Sequence, residues 1–311
     1  MPYIELPDAV GMPAAAVSST AWRTGILPWL DSSLIEDLRD RSAIIAPVEI
    51  GEDIPFIHED GRYRSLHFSM FHLQSEMDLR NPLRLTVDYT RMMMGFLLFH
   101  PAPLRIEMIG LGGGSLAKSC HHILPGADIR VVEIDPGVIA LRERFLIPAD
   151  SDRFQVIEAD GADFVRHDPS RPDILLVDGF DRYGQSPQLC TPGFYRACRD
   201  RLAPAGMMVV NLSGSHAQKT AIADRIGDVF QDKAFSIATE GGANRAVFAG
   251  RRQRPDLTTD LLDAALEWLG MDHSSFLASA GRRILRQIRR DETRARRFAD
   301  RRQISLPASS A

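Results

Sequence analysis

From Arg105 onward the chain alternates between two kinds of hydrophobic pattern. Short, nearly unbroken apolar runs at 105–110, 129–134, 154–158, 173–178 and 207–212 predict strands buried on both faces. Between and after them, stretches at 115–124, 136–146, 161–167, 191–202 and 216–231 carry apolar residues at helical spacing. Strands alternating with helices predict a parallel sheet covered on both sides, with ligands at the carboxyl ends of its strands. The end of the pattern differs. Ala234 to Thr239 and Arg245 to Ala249 are two β-rich runs joined by Glu240-Gly241-Gly242-Ala243-Asn244, which reads as an antiparallel hairpin.

Upstream, Tyr89 to His100 has helical character and is ended by Pro101 and Pro103. Pro55 to Ser69 reads as a hairpin around Glu59-Asp60-Gly61, and Ala43 to Ile50 as a further β-rich run. Together they predict a small antiparallel unit ending near residue 80. Residues 1 to about 40 show little periodicity and receive no assignment. Downstream, Leu257 to Leu269 is amphipathic, and Ser279 to Arg302 is dense in arginine, with Ile284, Leu285 and Ile288 as a candidate apolar stripe. The expected organisation is an N-terminal region with a small antiparallel unit over 1–85, an α/β domain over 86–250 and a helical, arginine-rich tail over 251–311. The tail reads first as a solvated helix with a frayed end. A grip on RNA or another acidic partner stays open.

The turn after the first central strand, Gly110-Leu111-Gly112-Gly113-Gly114-Ser115, lets the backbone approach a ligand closely and then opens a helix whose amides and dipole face it. About twenty residues on, the next strand ends in Glu133, where a carboxylate suits the two hydroxyls of a ribose. Glycine turn and spaced acid together predict a nucleoside site. A parallel sheet closed by an antiparallel hairpin predicts the Rossmann-like fold of the class I S-adenosylmethionine-dependent transferases. A nicotinamide dehydrogenase fits poorly, because Ser115 takes the place of the third glycine of that fingerprint and the terminal hairpin disagrees.

Composition narrows the setting. A 311-residue chain with 44% hydrophobic and 25% charged residues is that of an ordinary globular enzyme, and a net charge of −4 gives no overall basic footprint for nucleic acid. Three cysteines without metal spacing point to a reducing compartment. Met1 to Thr20 has neither a basic start nor a long apolar core, and Met92 to Phe99 is too short to span a bilayer, so a cytoplasmic location away from membranes is expected. His121-His122 reads as a surface pair, and no metal site is expected.

Four acids fall at predicted strand or turn ends: Glu133, Asp160, Asp178 and Asp181. Asp160-Gly161 is placed either to read an adenine edge or to cap the helix that follows. Asp178 and Asp181 stand three residues apart beyond the most apolar strand, Ile174 to Val177. That pair suits a cationic amine, one carboxylate holding it and the other removing its proton.

Between Gln74 and Tyr195 the chain resembles the spermidine/spermine synthase (polyamine aminopropyltransferase) family. The matching pieces stand in family order: HLQSEMD with Gln74, YTRMM with Tyr89, HPAP, IGLGGGSL, VVEIDP with Glu133, EADGADF with Asp160, VDGFD with Asp178 and Asp181, and TPGFY. The resemblance implies decarboxylated S-adenosylmethionine, or S-adenosylmethionine, as co-substrate, bound through Gln74, the glycine turn (Gly110, Gly112, Gly114), Glu133, Asp160 and Gly161. It implies Asp178 as the base that deprotonates a polyamine, Asp181 and Tyr89 as residues that hold it, release of methylthioadenosine, no metal, and a homodimer.

The chain departs from the family's pattern at several positions. Gly113 stands where the family's glycine loop has an aspartate that helps hold the aminopropyl amine. Gly179, Phe180 and Arg182 replace two small hydroxyl residues and a proline, Thr90-Arg91 follows the tyrosine, and EGGANRAVF replaces a P-S-G loop. Two other readings therefore stand beside aminopropyl transfer: a methyltransferase acting on an unknown acceptor, and a non-catalytic nucleoside-binding relative.

Overall fold

The computed structural model describes residues 55–69, 72–181, 184–253, 256–269 and 271–304. The unassigned N-terminal stretch, the β-rich run at 43–50 and Arg182 lie outside the described residues.

Three antiparallel strands come first: β1 (Phe56–Glu59), β2 (Tyr63–Ser69) and β3 (His72–Asp78). The expected turn joins the first two. Asp60 accepts from the amides of Arg62 and Tyr63, at 3.0 and 2.7 Å, and Gly61 takes a φ of +81°. A short helix, α1 (Asp88–Met93), continues as a 3-10 turn through Met94–Leu98. It carries Met92, Met93 and Met94 into the core, where unbranched thioethers fill irregular space.

The alternating part follows: β4 (Arg105–Ile109), α2 (Ser115–Ile123), β5 (Asp128–Glu133), α3 (Pro136–Ala140), β6 (Phe154–Glu158), α4 (Gly161–His167) and β7 (Ile174–Val177). Two-residue strands β8 (Phe180–Asp181) and β9 (Gly184–Gln185) precede α5 (Pro192–Arg201), β10 (Met207–Leu212), α6 (His216–Val229), β11 (Ala234–Ala238) and β12 (Arg245–Gly250). The helix expected over 136–146 stops at Ala140, where the amides of Leu141 and Arg142 turn back three residues to the carbonyls of Val138 and Ile139; the turns that follow end at Leu146, with a left-handed φ of 54°. Helix starts are set by side chains: Asp135, Asp160 and Thr191 cap α3, α4 and α5, and Ser215 with Gln218 forms a capping box on α6.

The seven-stranded sheet runs in the order β11-β12-β10-β7-β4-β5-β6. The last five in that order are mutually parallel, and β12 runs antiparallel to both β10 and β11. The pleat sends alternate side chains to two cores. Ile106, Met108, Ile129, Val131, Leu176 and Val209 face the side covered by α1 and α2, while Ile109, Val132, Leu175, Val177 and Val210 face α4, α5 and α6.

Two helices close the chain, α7 (Thr259–Leu269) and α8 (Met271–Ile304). The expected solvated tail is instead packed: Leu277, Ala280, Ile284, Leu285 and Ile288 are buried in the first core. Arg282, Arg286, Arg289 and Arg290 face outward. The stripe was visible at helical spacing. What buries it is the surface formed by α1, the 3-10 turn and β11. Among the described residues no helix is long and apolar enough to cross a membrane.

Candidate active site

The carboxyl ends of β4, β5, β6 and β7 meet at a cleft of about 260 Å³. Gln74 and Ser75 of β3 close one side of it, Tyr89 of α1 another, and Phe180 and Asp181 a third. Of the residues expected to serve a site, Gln74, Tyr89, Gly110, Gly112, Glu133, Asp160, Gly161, Asp178 and Asp181 all line this cleft. Gly114 does not line it: with φ +66° it begins α2, and a Cβ there would strike Ile147 at 2.5 Å. A second cleft, about 400 Å³, lies at the opposite end of the sheet beside Trp268 and Arg251, away from the strands' carboxyl ends.

Neighbouring strands build the floor of the first cleft. The amide of Gly110 donates to the carbonyl of Val132, and that of Asp178 to the carbonyl of Ile109, both at 2.8 Å. Gly110 has φ +98°, and a Cβ there would lie 2.3 Å from the carbonyl oxygen of Asp178. Only glycine allows the turn and the Asp178 backbone to approach this closely. Glu133 is nearly buried. Its Oε2 accepts from the amide of Leu111 at 2.8 Å, and its Oε1 from those of Ile134 and Asp135 at 2.9 and 3.0 Å. Asp160 accepts from the amides of Ala162 and Asp163, so it caps a helix while lining the cleft.

Asp178 is the electrostatic centre. Low-polarity surroundings push its pKa up to about 6, against the opposing hydrogen bonds donated by Asn211 and Tyr89. Asn211 Nδ2 donates to Asp178 Oδ1 at 2.8 Å. Tyr89 is held well above the usual phenol range, first by desolvation and then by the Asp178 charge and the hydrogen bond to it. At neutral pH the pair is therefore a neutral phenol donating to a carboxylate. Asn211 was not anticipated. The available signal was one polar residue at the end of the apolar run Met207 to Val210. Behind it, Asn244 Nδ2 donates to Asn211 Oδ1 at 3.0 Å, from a loop that in sequence looked only like a turn.

Two of the departures from the family's pattern acquire a physical account. Arg91 donates to the carbonyls of Leu85 and Thr86 at 2.7 and 2.8 Å and pairs with Asp88 at 3.5 Å, and it does not line the cleft. At Gly113, a Cβ would lie 2.6 Å from Ser75 Oγ and 3.0 Å from Phe145, so Ser75 occupies the space a side chain at 113 would need. Among the described residues no group of three or more His, Cys, Asp or Glu is arranged to hold a metal ion.

Residues 86–238 match the spermine/spermidine synthase domain. A polyamine aminopropyltransferase of Chromobacterium violaceum is 40% identical over 203 residues, covering 65% of this chain and 77% of that protein. One of Neisseria meningitidis is 35% identical over 240 residues, covering 75% of this chain and 91% of that protein. The chain belongs to the polyamine aminopropyltransferase (spermine/spermidine synthase) family. A spermidine synthase solved in complex with the transition-state analogue AdoDATO superposes with a TM-score of 0.56 at 20% identity, covering 73% of this chain and 80% of that one. This likeness shows the same class I transferase fold.

Proposed function

We propose that this chain transfers an aminopropyl group from decarboxylated S-adenosylmethionine to an amine of a polyamine, releasing methylthioadenosine. One observation carries the reading: a carboxylate with a raised pKa, Asp178, lines the same cleft as the glycine turn, Glu133 and Asp160. The names of the relatives in the two bacteria support the same reaction.

The cleft fits a nucleoside donor. Glycine at 110 leaves the turn without a side chain toward Asp178, and Glu133, Asp160 and Gln74 offer acceptors and an amide around it. When bound, the donor supplies an alkyl carbon activated by a sulfonium leaving group. Asp178 takes a proton from the acceptor ammonium and frees the nitrogen lone pair. That pair forms the new C–N bond as the C–S bond breaks, its electrons passing to sulfur as a neutral thioether. Tyr89 keeps the carboxylate oriented, and Asp181 offers a second charge to the polycation. Catalysis then rests mainly on positioning and proton removal.

We read the enzyme as a cytoplasmic homodimer. The unpaired Cys120, Cys190 and Cys198 support a reducing compartment, and the dimer follows the family's pattern. The deciding experiment incubates pure protein with decarboxylated or whole S-adenosylmethionine and putrescine, spermidine or cadaverine, and identifies the nucleoside by mass. Methylthioadenosine together with a lengthened polyamine is expected. S-adenosylhomocysteine, or no product, would overturn the reading.

A further inference from the structure

We propose that the loop between β11 and β12 is a positioning device for Asp178, acting through Asn244 and Asn211 on one side and through Asp88 and Tyr89 on the other. The inference rests on the reading of Asp178 as the base. It extends that reading to Asn211 and Asn244, which do not line the cleft.

The loop is itself firmly held. Thr239 donates from its amide and its hydroxyl to the carbonyl of Asn244, both at 2.9 Å, and its Oγ1 accepts from the Asn244 amide at 3.0 Å. Lys219 clamps the loop from α6, donating to the carbonyls of Gly242 and Ala243 at 2.7 and 2.6 Å. Asn244 is thereby presented to Asn211, whose main-chain carbonyl is fixed in turn by Gln185 Nε2 at 2.9 Å.

An asparagine amide has a donor end and an acceptor end of nearly the same shape, so its neighbours decide which way it points. Because Asn244 donates to Asn211 Oδ1, the Nδ2 end of Asn211 is committed to Asp178. The carboxylate is then locked in rotation and its anion is stabilised. From the other end of the loop, the Glu240 amide donates to Asp88, the first residue of α1, which also pairs with Arg283 of α8 at 3.3 Å. Arg283 additionally donates to the carbonyl of Ala238 beside the loop. Asp88 immediately precedes Tyr89, the second donor to Asp178. One loop thus sets both groups that hold the base.

The sharpest test is Asn244→Asp. A carboxylate at 244 cannot donate, so the Asn211 amide turns over, its Nδ2 faces residue 244 and its Oδ1 opposes Asp178. The expected result is a fall in kcat/KM for the polyamine of about 10–100-fold, the worth of a hydrogen bond to a charged group. The acid limb of the pH profile moves upward and donor affinity stays within about twofold. Asn244→Ala shifts the limb in the same direction by less. Among the described residues, the other titratable groups around Asp178 are Tyr89 from α1, Glu133 from β5, Asp160 before α4, and Asp181 on its own segment. None of them is altered by these changes, but Asn244→Asp adds a carboxylate whose repulsion alone raises the limb, so the uncharged Asn244→Ala decides whether the amide's orientation matters. A purely structural role would lower thermal stability and active fraction but leave the acid limb in place.

Asp178→Asn is measured alongside. If that variant still turns over, the base assignment itself fails. If it is inactive while Asn244→Asp keeps a wild-type kcat/KM and acid limb, the positioning inference is overturned and the base assignment survives. Should Asn244→Asp not fold, Asn244→Ala is judged by the same limb, and an unmoved limb counts against the inference.

Discussion

The carboxylate of Glu133 accepts from the amide of Leu111 at 2.8 Å, so the acid expected to meet a nucleoside's hydroxyls also anchors the glycine turn beneath it. Truncation therefore does two things at once. Glu133→Ala weakens donor binding and also leaves three backbone amides without their acceptor. Glu133→Gln keeps one acceptor oxygen. We expect a donor dissociation constant raised more than about tenfold in the alanine variant and less in the glutamine variant, read by calorimetry. An unchanged constant in both would remove Glu133 from the site.

Asp178→Asn is expected to abolish turnover while donor affinity stays nearly intact. It should also stabilise the fold. The folded-state pKa of Asp178, about 6, lies above that of an exposed aspartate, so folding favours the protonated form. Its contribution is fully present at acid pH and is lost as pH rises through about 6. At pH 7.5 the asparagine variant should melt a few degrees above wild type, about 2–4 °C, with the gain vanishing near pH 4. A variant that melts lower at pH 7.5 would contradict the desolvated-carboxylate account.

The same group sets the pH dependence of the reaction. A base must be ionised to accept a proton, so kcat/KM is expected to rise with pH through a midpoint near 6 and to fall on the acid side. An acid limb near 4 would mean that the carboxylate doing this work is well solvated.

Gly113→Asp tests why the family's acid is absent. Its Cβ would meet Ser75 Oγ at 2.6 Å and Phe145 at 3.0 Å. The single change should therefore cost about 1–3 kcal/mol in denaturant unfolding, as overpacking does. Combining it with Ser75→Gly should recover much of that loss, giving a clear coupling between the two sites. Simple additivity would show that the two positions do not compete for one space.

Away from the cleft, Glu107 is fully buried on β4 between Arg201 and Arg130. Arg201 bonds it through Nε at 3.0 Å and through its terminal nitrogen at 2.7 Å, and also pairs with Asp168 at 2.9 Å. Arg201→Met leaves part of a buried charge uncompensated and should destabilise by about 3–5 kcal/mol in denaturant unfolding. A loss below about 1 kcal/mol would show that Arg130 alone suffices.

Much of the architecture was legible because it is written in local patterns. Runs such as Ile174 to Val177 are apolar throughout because both faces of a parallel strand are covered, and the glycine turn announces itself by composition. Residues that converge on the cleft could be listed because strand ends in such a sheet point one way. The partners of those residues could not. Asn211 lies 33 residues from Asp178 and 33 from Asn244, and only the sheet order that sets β10 between β7 and β12 brings the three together.

Arg91 stands two residues after the tyrosine expected to hold a polyamine, yet the chain just before it supplies the Leu85 and Thr86 carbonyls and the Asp88 carboxylate that hold its charge. The tail's arginines suggested solvent or an acidic partner, whereas its isoleucines are buried against α1 and β11. What the sequence determined by itself was the order of elements, the glycine turn and the family, since each depends on residues near one another in the chain. Tertiary structure alone decided which way the Asn211 amide points, which charges face the cleft and where the last helix packs. Those outcomes depend on contacts between distant segments, whose geometry is set only once the sheet is assembled.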